Sequence, residues 1–333
     1  VRDYRDSYKP SGEGSGFRIS LTDESNQRSD ATLRLEQEIP GHRGELGIFY
    51  TGRLYSRSFS CKSEKPVFVK EFNPLPLGNV EWHLPQTKDG LIFGGEQIPE
   101  YVRAEYEARL SQFYLEYHNL MALNERQYQN MVNRALYLGQ ANNTFYILFD
   151  YEEGCDIPFL AADEAPSPSC PALEEGLDIL QRLTEYLTCL SSYGYFPLPS
   201  FSSRLQWNPA LKELRFWDAE KLSADEEAKA GAEAMAVREM GCGLSRLLTG
   251  MPESPLLWPD ILSPGFSKDP LILRSLKKRI VEHYPSAFGA EDDAPGLMAA
   301  LLGDLLDPEA ASPCRTYAAF RAILESLRQA SAK

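Results

Sequence analysis

Apolar residues recur along this chain with two different periods, and the switch between them divides it. From Ala31 the segment ATLRLEQEI alternates Leu33 and Leu35 with charged neighbours, the two-residue period of a half-buried strand. PGHRGELG follows, a turn-forming run with Gly41, Gly44 and Gly47. GIFYTGRLY and PVFVKEF are rich in β-formers and read as two more strands. Residues 73–100 are rich in Pro and Gly and read as an irregular insertion. The period then becomes helical. Val102, Tyr106, Leu110, Phe113, Tyr117 and Leu120 recur at three- and four-residue steps and predict a helix from Tyr101 to Leu123. ALYLG, an Asn142-Asn143 turn and TFYILFDY predict a hairpin.

Past residue 150 helical periods dominate. After a loop rich in Pro and Ser, Pro171 is suited to a first helical turn. Leu173, Leu177, Leu180, Leu183, Leu187 and Leu190 mark a long amphipathic helix ending near Tyr193-Gly194. RLQWN, a turn at Pro209 and ELRFWDAE give a short hairpin. Helices are predicted over 222–249, 270–283, 295–306 and 315–329, with Asp269-Pro270 as a cap and first-turn pair. No internal repeat is present.

Residues 1–30, rich in Ser, Gly, Asp and Arg, read as a polar tail or linker. Across 333 residues, 43% are hydrophobic and 25% charged, an ordinary globular composition. The formal net charge of -14 argues against a nucleic-acid partner, since no long basic run offsets it. No stretch approaches the ~20 apolar residues of a membrane span. The opening VRDYRDSYKPSG lacks the apolar segment of a signal peptide. The expected location is cytoplasmic, either as a whole protein or as the cytoplasmic domain of a larger one, with room for a membrane tether outside this sequence. Six cysteines without CxxC pairs read as free thiols, and four scattered histidines give no support to a zinc site.

A meander, a helix after its third strand, a hairpin and then a helical half: this order resembles the protein kinase fold, over about residues 31–329. VFVK, ending in Lys70, resembles the family's Val-Ala-Ile-Lys strand. FYLEYHNLMAL places Glu116 where the family's helix C carries the glutamate that pairs with that lysine. YILFDYEEG looks like the last N-lobe strand and hinge. GLSRLLTGMP and LLGDLLDPEAASPCRTYAAF resemble late C-lobe helices, with Arg315 at the family's late arginine. The resemblance implies an α+β, bilobal protein kinase-like fold. Its parts would be a tail at 1–30, an N-lobe at 31–150 with a five-stranded antiparallel sheet and helix C, and a mainly helical C-lobe at 151–333.

The same resemblance implies a degenerate site. Kinase chemistry needs a base, a lysine on the phosphates and two metal ligands. GYFPLPSFSSRLQWN aligns with the catalytic loop so that Pro197, Leu198 and Pro199 replace His-Arg-Asp, and Arg204 replaces the metal-binding Asn. FWDAE puts Asp218 at the family's metal Asp, followed by Ala219 and Glu220. Lys70, Glu116 and Asp218 therefore remain, and three readings stand. They form a vestigial nucleotide site, they brace the lobes, or Arg204 pairs with Asp218 and fills the metal position. Phe68 replaces the small residue on which adenine packs, Phe49 or Tyr50 replaces a valine, Gln206 replaces a floor leucine, and Phe149 is a bulky gatekeeper. Together they would occlude the site. The Gly41–Gly47 turn is either a phosphate cradle or a plain strand turn. The activation segment is short: about eighteen residues run from Asp218 to 236–241, roughly half the family's usual length. No Ala-Pro-Glu appears, and Ala236 replaces the Asp that anchors the catalytic loop. Arg315, without its family partner, is expected to pair with Glu239 or another acid.

These features imply a pseudokinase acting as a protein-binding, scaffold or regulatory module, with no cofactor or metal expected and ATP with magnesium disfavoured. The alternatives are a nucleotide-binding switch or atypical transferase on this fold, and a divergent active kinase. The expected partner is a protein, with the acidic surface suited to a basic one. Val80, Trp82, Leu84, Leu91, Ile92 and Phe93 of the insertion are candidate contacts, with the 161–170 loop a weaker one.

Overall fold

The computed structural model of the chain describes residues 11–39, 46–58, 61–73, 86–87, 90–91, 100–125, 131–142, 144–152, 154–157, 159–160, 172–250, 265–285, 287–288, 292–307 and 314–331. They form two compact units. The first comprises Val1–Glu153 together with Asp218–Glu220, the second Gly154–Trp217 and Lys221–Lys333.

The first unit holds strands β1 (Gly16–Thr22), β2 (Arg28–Glu38), β3 (Gly47–Ser58), β4 (Cys61–Phe72), the two-residue β5 (Gln86–Thr87) and β6 (Gly90–Leu91), helix α1 (Glu100–Glu125), β7 (Ala135–Ala141) and β8 (Thr144–Asp150). Six of them close a barrel in the order β1-β2-β3-β4-β8-β7, with β1 pairing back on β7. Two expectations change here. The stretch 1–30 is not wholly a tail, because Gly16–Thr22 is a strand with Ile19 and Leu21 buried. The sheet is a closed six-stranded barrel rather than five open strands. The physical reason is the short alternation Phe17, Ile19, Leu21, which supplies one more apolar face. The turn after it is fixed by the Asp23 carboxylate, which accepts the Ser25 and Gln27 amides at 2.9 Å each, with Asn26 left-handed at φ 57°.

Alternate residues of each strand face opposite sides. Ile19, Leu21, Leu33, Leu35, Ile48, Tyr50, Leu54, Val67, Val69, Tyr146 and Leu148 form one buried cluster, the barrel core. Phe68, Lys70 and Phe72 of β4 face the other way. There Phe72 meets Phe113 and Tyr106 of α1 edge-on, at ring separations of 5.2 and 5.7 Å. The helical period thus does what it predicts: α1 lays an aromatic stripe on the outer face of β4.

The second unit contains β9 (Cys155–Asp156), α2 (Leu173–Ser192), β10 (Phe196–Pro197), β11 (Leu205–Asn208), β12 (Glu213–Phe216), β13 (Leu222–Ser223), α3 (Glu226–Lys229), α4 (Ala232–Thr249), α5 (Pro270–His283), α6 (Ala294–Leu306) and α7 (Tyr317–Ser331). The hairpin β11–β12 forms as expected, with β9 beside it. The helix expected over 222–249 is interrupted. Gly231 takes φ 81°, a left-handed conformation that ends one helical turn and starts α4. Helices α2 and α4 approach closely at Gly176, where a Cβ would lie 2.4 Å from Leu247 Cδ1. Asp269 caps α5 by accepting the Leu271 amide at 2.8 Å, with Pro270 in the first turn. Among the described residues, no helix is long and apolar enough to cross a membrane. Among the described residues, Cys155, Cys189, Cys242 and Cys314 are not joined in disulfides.

Candidate functional site

The first unit encloses a cluster of four charged side chains, Lys70 and three acids around it. Its ammonium donates to both oxygens of Glu116 at 2.9 and 2.7 Å, to Asp218 Oδ2 at 2.7 Å and to Glu220 Oε2 at 2.6 Å. An ammonium has three donors, so these carboxylates engage all of them. The side chains of Lys70 and Asp218 are fully buried, and those of Glu116 and Glu220 are 2% and 3% exposed.

Each element contributes for a local reason. β4 brings Lys70 to its outer face two residues after Phe68, with Phe49 and Ile147 directly across the ladder on either side. The Phe49 ring centroid lies 5.3 Å from the ammonium, within cation–π range. Phe49, rather than Tyr50, therefore shares the lysine's face, and Tyr50 belongs to the barrel core. Gly47 makes room for the lysine stem. A Cβ there would meet Lys70 Cγ at 2.8 Å and the Glu71 carbonyl oxygen at 2.9 Å. The last glycine of the glycine-rich turn thus serves packing of the lysine, while residues 40–45 of that turn lie outside the described residues. The Glu220 amide donates to Asp218 Oδ1 at 3.2 Å and holds the 218–220 turn together.

Charge sets the character of the cluster. One ammonium faces three carboxylates with almost no solvent, and a buried charge must be paired or neutralised. Burial above all, with the neighbouring Asp218 and Glu220, pushes the Glu116 carboxyl up to about 8 against the opposing pull of Lys70. The three acids offer oxygens within 4.8 Å of one another, a spacing that could surround a cation. In this arrangement the lysine ammonium already serves as that cation.

The structure thus brings Lys70, Glu116 and Asp218 together and adds Glu220, which the sequence reading treats only as a missing glycine. Beside the cluster, Phe68 is buried and its ring stacks on Tyr151, centroids 4.8 Å apart and 28° from parallel. Phe149 is buried opposite Phe68 in the ladder, 6.4 Å from the Phe49 ring.

The loop read as a degenerate catalytic loop lies in the second unit. Pro197 ends β10, Ser200 is left-handed at φ 64°, and Arg204 ends a buried 3-10 turn, Phe201–Arg204. The Arg204 carbonyl accepts the Trp217 amide at 2.7 Å. A pairing of Arg204 with Asp218 would join the two units and stays an expectation. Gln206 is buried on β11. The loop has an anchor that Ala236 does not supply. Glu239, one turn further along α4, accepts the Ser200 amide at 3.0 Å, the Ser202 amide at 2.9 Å and the Ser202 hydroxyl. Burial raises its pKa and these bonds oppose the rise. Arg315 is exposed, and Glu239 is turned to the loop instead. Arg246 reinforces the same region by donating to the carbonyls of Phe159 and Leu160 at 2.7 and 3.0 Å. Loop 161–170 and the candidate contact side chains of the 73–100 insertion lie outside the described residues.

No family model matches the chain, and no curated protein does. Among solved structures, the kinase domain of Mycobacterium tuberculosis PknI is similar. A double mutant of it gives a TM-score of 0.48 at 12% identity, covering 90% of this chain and 95% of that chain. Another crystal structure of the domain gives 0.45 at 12% identity, covering 90% and 96%. A likeness this loose carries no argument about this chain, whose chemistry has to be read from its own side chains.

Proposed function

We propose that the chain is a protein kinase-like scaffold that does not transfer phosphoryl groups and works as a protein-binding or regulatory module. The kinase-like reading is supported by the order of its elements, strands and one helix before a hairpin and a helical half, and by the buried pair of Lys70 on β4 with Glu116 on α1. The observation that carries the inactive reading is the saturation of Lys70. A lysine that cradles phosphates needs a free donor, whereas here three carboxylates take them all. Glu220 adds a negative charge where an incoming triphosphate would be repelled. The chain's own residues therefore do not fit ATP with magnesium, and no step is routed through either. Pro197, Leu198 and Pro199 offer no side chain that could accept a proton. Phe68, at the position where the resemblance expects adenine to pack, is buried and stacked on Tyr151, which supports the occluded reading.

The test is thermal melting with ATP, with and without magnesium, beside transfer of labelled γ-phosphate to a generic protein acceptor. At 100 Kd a ligand stabilises its protein by about 2.7 kcal/mol. The expectation is no shift in melting temperature and no label transferred. A magnesium-dependent shift without transfer would move the reading to a nucleotide-binding switch. Transfer that is lost in Asp218→Asn would overturn it.

A further inference from the structure

Lys70 has a neighbour of opposite charge and opposite direction. Glu71 is the next residue of β4, so its side chain points to the barrel interior while Lys70 points out. Glu71 is fully buried. Both of its carboxylate oxygens accept the Ser11 amide, at 3.1 and 3.2 Å, and one also accepts the Ser11 hydroxyl at 3.1 Å. The Ser11 hydroxyl shares a 2.7 Å hydrogen bond with the Tyr146 hydroxyl, and Tyr146 is itself fully buried. The segment then turns through Gly12 and Gly14, both left-handed at φ 73° and 74°, and joins the sheet. The Gly14 amide donates to Leu35 O at 3.0 Å, and the Leu35 amide donates to Ser15 O at 2.8 Å. Farther out, the Glu38 amide donates to Glu13 Oε1 at 2.9 Å.

We propose that Ser11–Ser15 is a clasp that sets the position of β4 at Glu71, and through the adjoining Lys70 controls how firmly the outer cluster holds α1. The physical basis is the shared backbone. A buried carboxylate can rest in an apolar barrel only where donors meet it, and here Ser11, ahead of the first strand, supplies donors from its amide and hydroxyl. The peptide that carries Glu71 also carries Lys70, and it lies so close to Gly47 that a Cβ there would meet the lysine's stem and the Glu71 carbonyl. Losing the clasp lets β4 shift at two adjacent residues that anchor on opposite faces. A protein or modification that displaces Ser11 thereby loosens α1 without touching the cluster. This last step rests on the reading of the cluster as the brace that holds α1.

Hydrogen exchange on the whole chain tests it. A Ser11→Ala, Tyr146→Phe double variant removes two hydroxyls and leaves Glu71 in place. Expected is exchange about tenfold faster at the amides of 67–72 and 113–120, with α2 unchanged. Faster exchange confined to 11–22, with 67–72 at the wild-type rate, would overturn the proposal and leave the segment a passive cover. If the double variant does not fold, Ser11→Ala alone is judged by the same two outcomes. Lys70→Met separates the two readings. If it leaves exchange at 113–120 unchanged, the brace reading fails, while the clasp is still decided at 67–72.

Discussion

Replacing Lys70 by methionine should destabilise the first unit rather than merely silence a site. Methionine preserves the length of the stem and its packing beside Gly47 and Phe49 but removes the ammonium that the three acids share. Three carboxylates, two of them with no more than 2% of the side chain exposed and the third with 3%, would then face one another. Removing one partner of a buried ion pair costs about 3–5 kcal/mol, because the remaining charge is stranded. For a unit of this size each kcal/mol moves the melting temperature by roughly 2–4 °C, so the expected fall is roughly 6–20 °C. The loss should grow as pH rises, since Lys70 holds the Glu116 carboxyl down and without it the folded chain keeps that proton to still higher pH than the unfolded one does. Differential scanning calorimetry between pH 5 and 9 measures both effects. A surface lysine exchanged for methionine stays within about 0.5 kcal/mol. A Lys70→Met variant that melts within about 2 °C of the parent at every pH would refute the reasoning, because it would make the ammonium dispensable.

Stability should fall with rising pH through one titration. The folded chain keeps the Glu116 proton from its ordinary 4.5 up to about 8, while the unfolded chain gives it up. Unfolding therefore becomes easier across that window, with a slope of at most about 1.4 kcal/mol per pH unit that levels off above it; urea titrations should show the slope disappear in Glu116→Gln. Glu239→Gln should weaken the grip on Ser200 and Ser202 and cost about 1–3 kcal/mol, read as faster proteolysis of the 197–204 loop and a lower urea midpoint. Gly176→Val should push α2 from Leu247 and cost at least about 1–3 kcal/mol in chemical denaturation, and an unchanged midpoint would show that the two helices have slack there.

Much of the fold was legible because the period of the apolar residues is strong where elements are long. The helix at Tyr106, Phe113, Tyr117 and Leu120 and the leucine stripe of α2 need no tertiary information. What was lost lies in short or charged stretches. The alternation at Phe17, Ile19 and Leu21 spans only seven residues between polar flanks, so composition over 1–30 averages it away. The interruption before α4 hangs on one glycine amid good helix formers. In the site, Lys70, Glu116 and Asp218 could be picked out by order along the chain. Glu220 could not, because whether an acid two residues past Asp218 turns toward the lysine depends on a turn that sequence does not specify. Glu239 was visible as an acid three residues beyond Ala236, on the same face of the helix. That spacing is the signal by which a displaced anchor could have been found.

Ring closure of the sheet limits how this protein can be gripped. Every long strand of the first unit already has a neighbour on each side, including β1, which pairs with both β2 and β7. A ligand peptide that binds by extending a sheet needs an open row of amides and carbonyls. Among the described residues the β1–β7 ladder runs out after three residue pairs, and the β4–β8 ladder covers only Val67–Glu71 of β4, so such a row is left at the start of β1 and along Cys61–Pro66. Over the closed part of the wall only side chains are on offer, so a β-strand mimic aimed at this unit has to start at those two ladder ends.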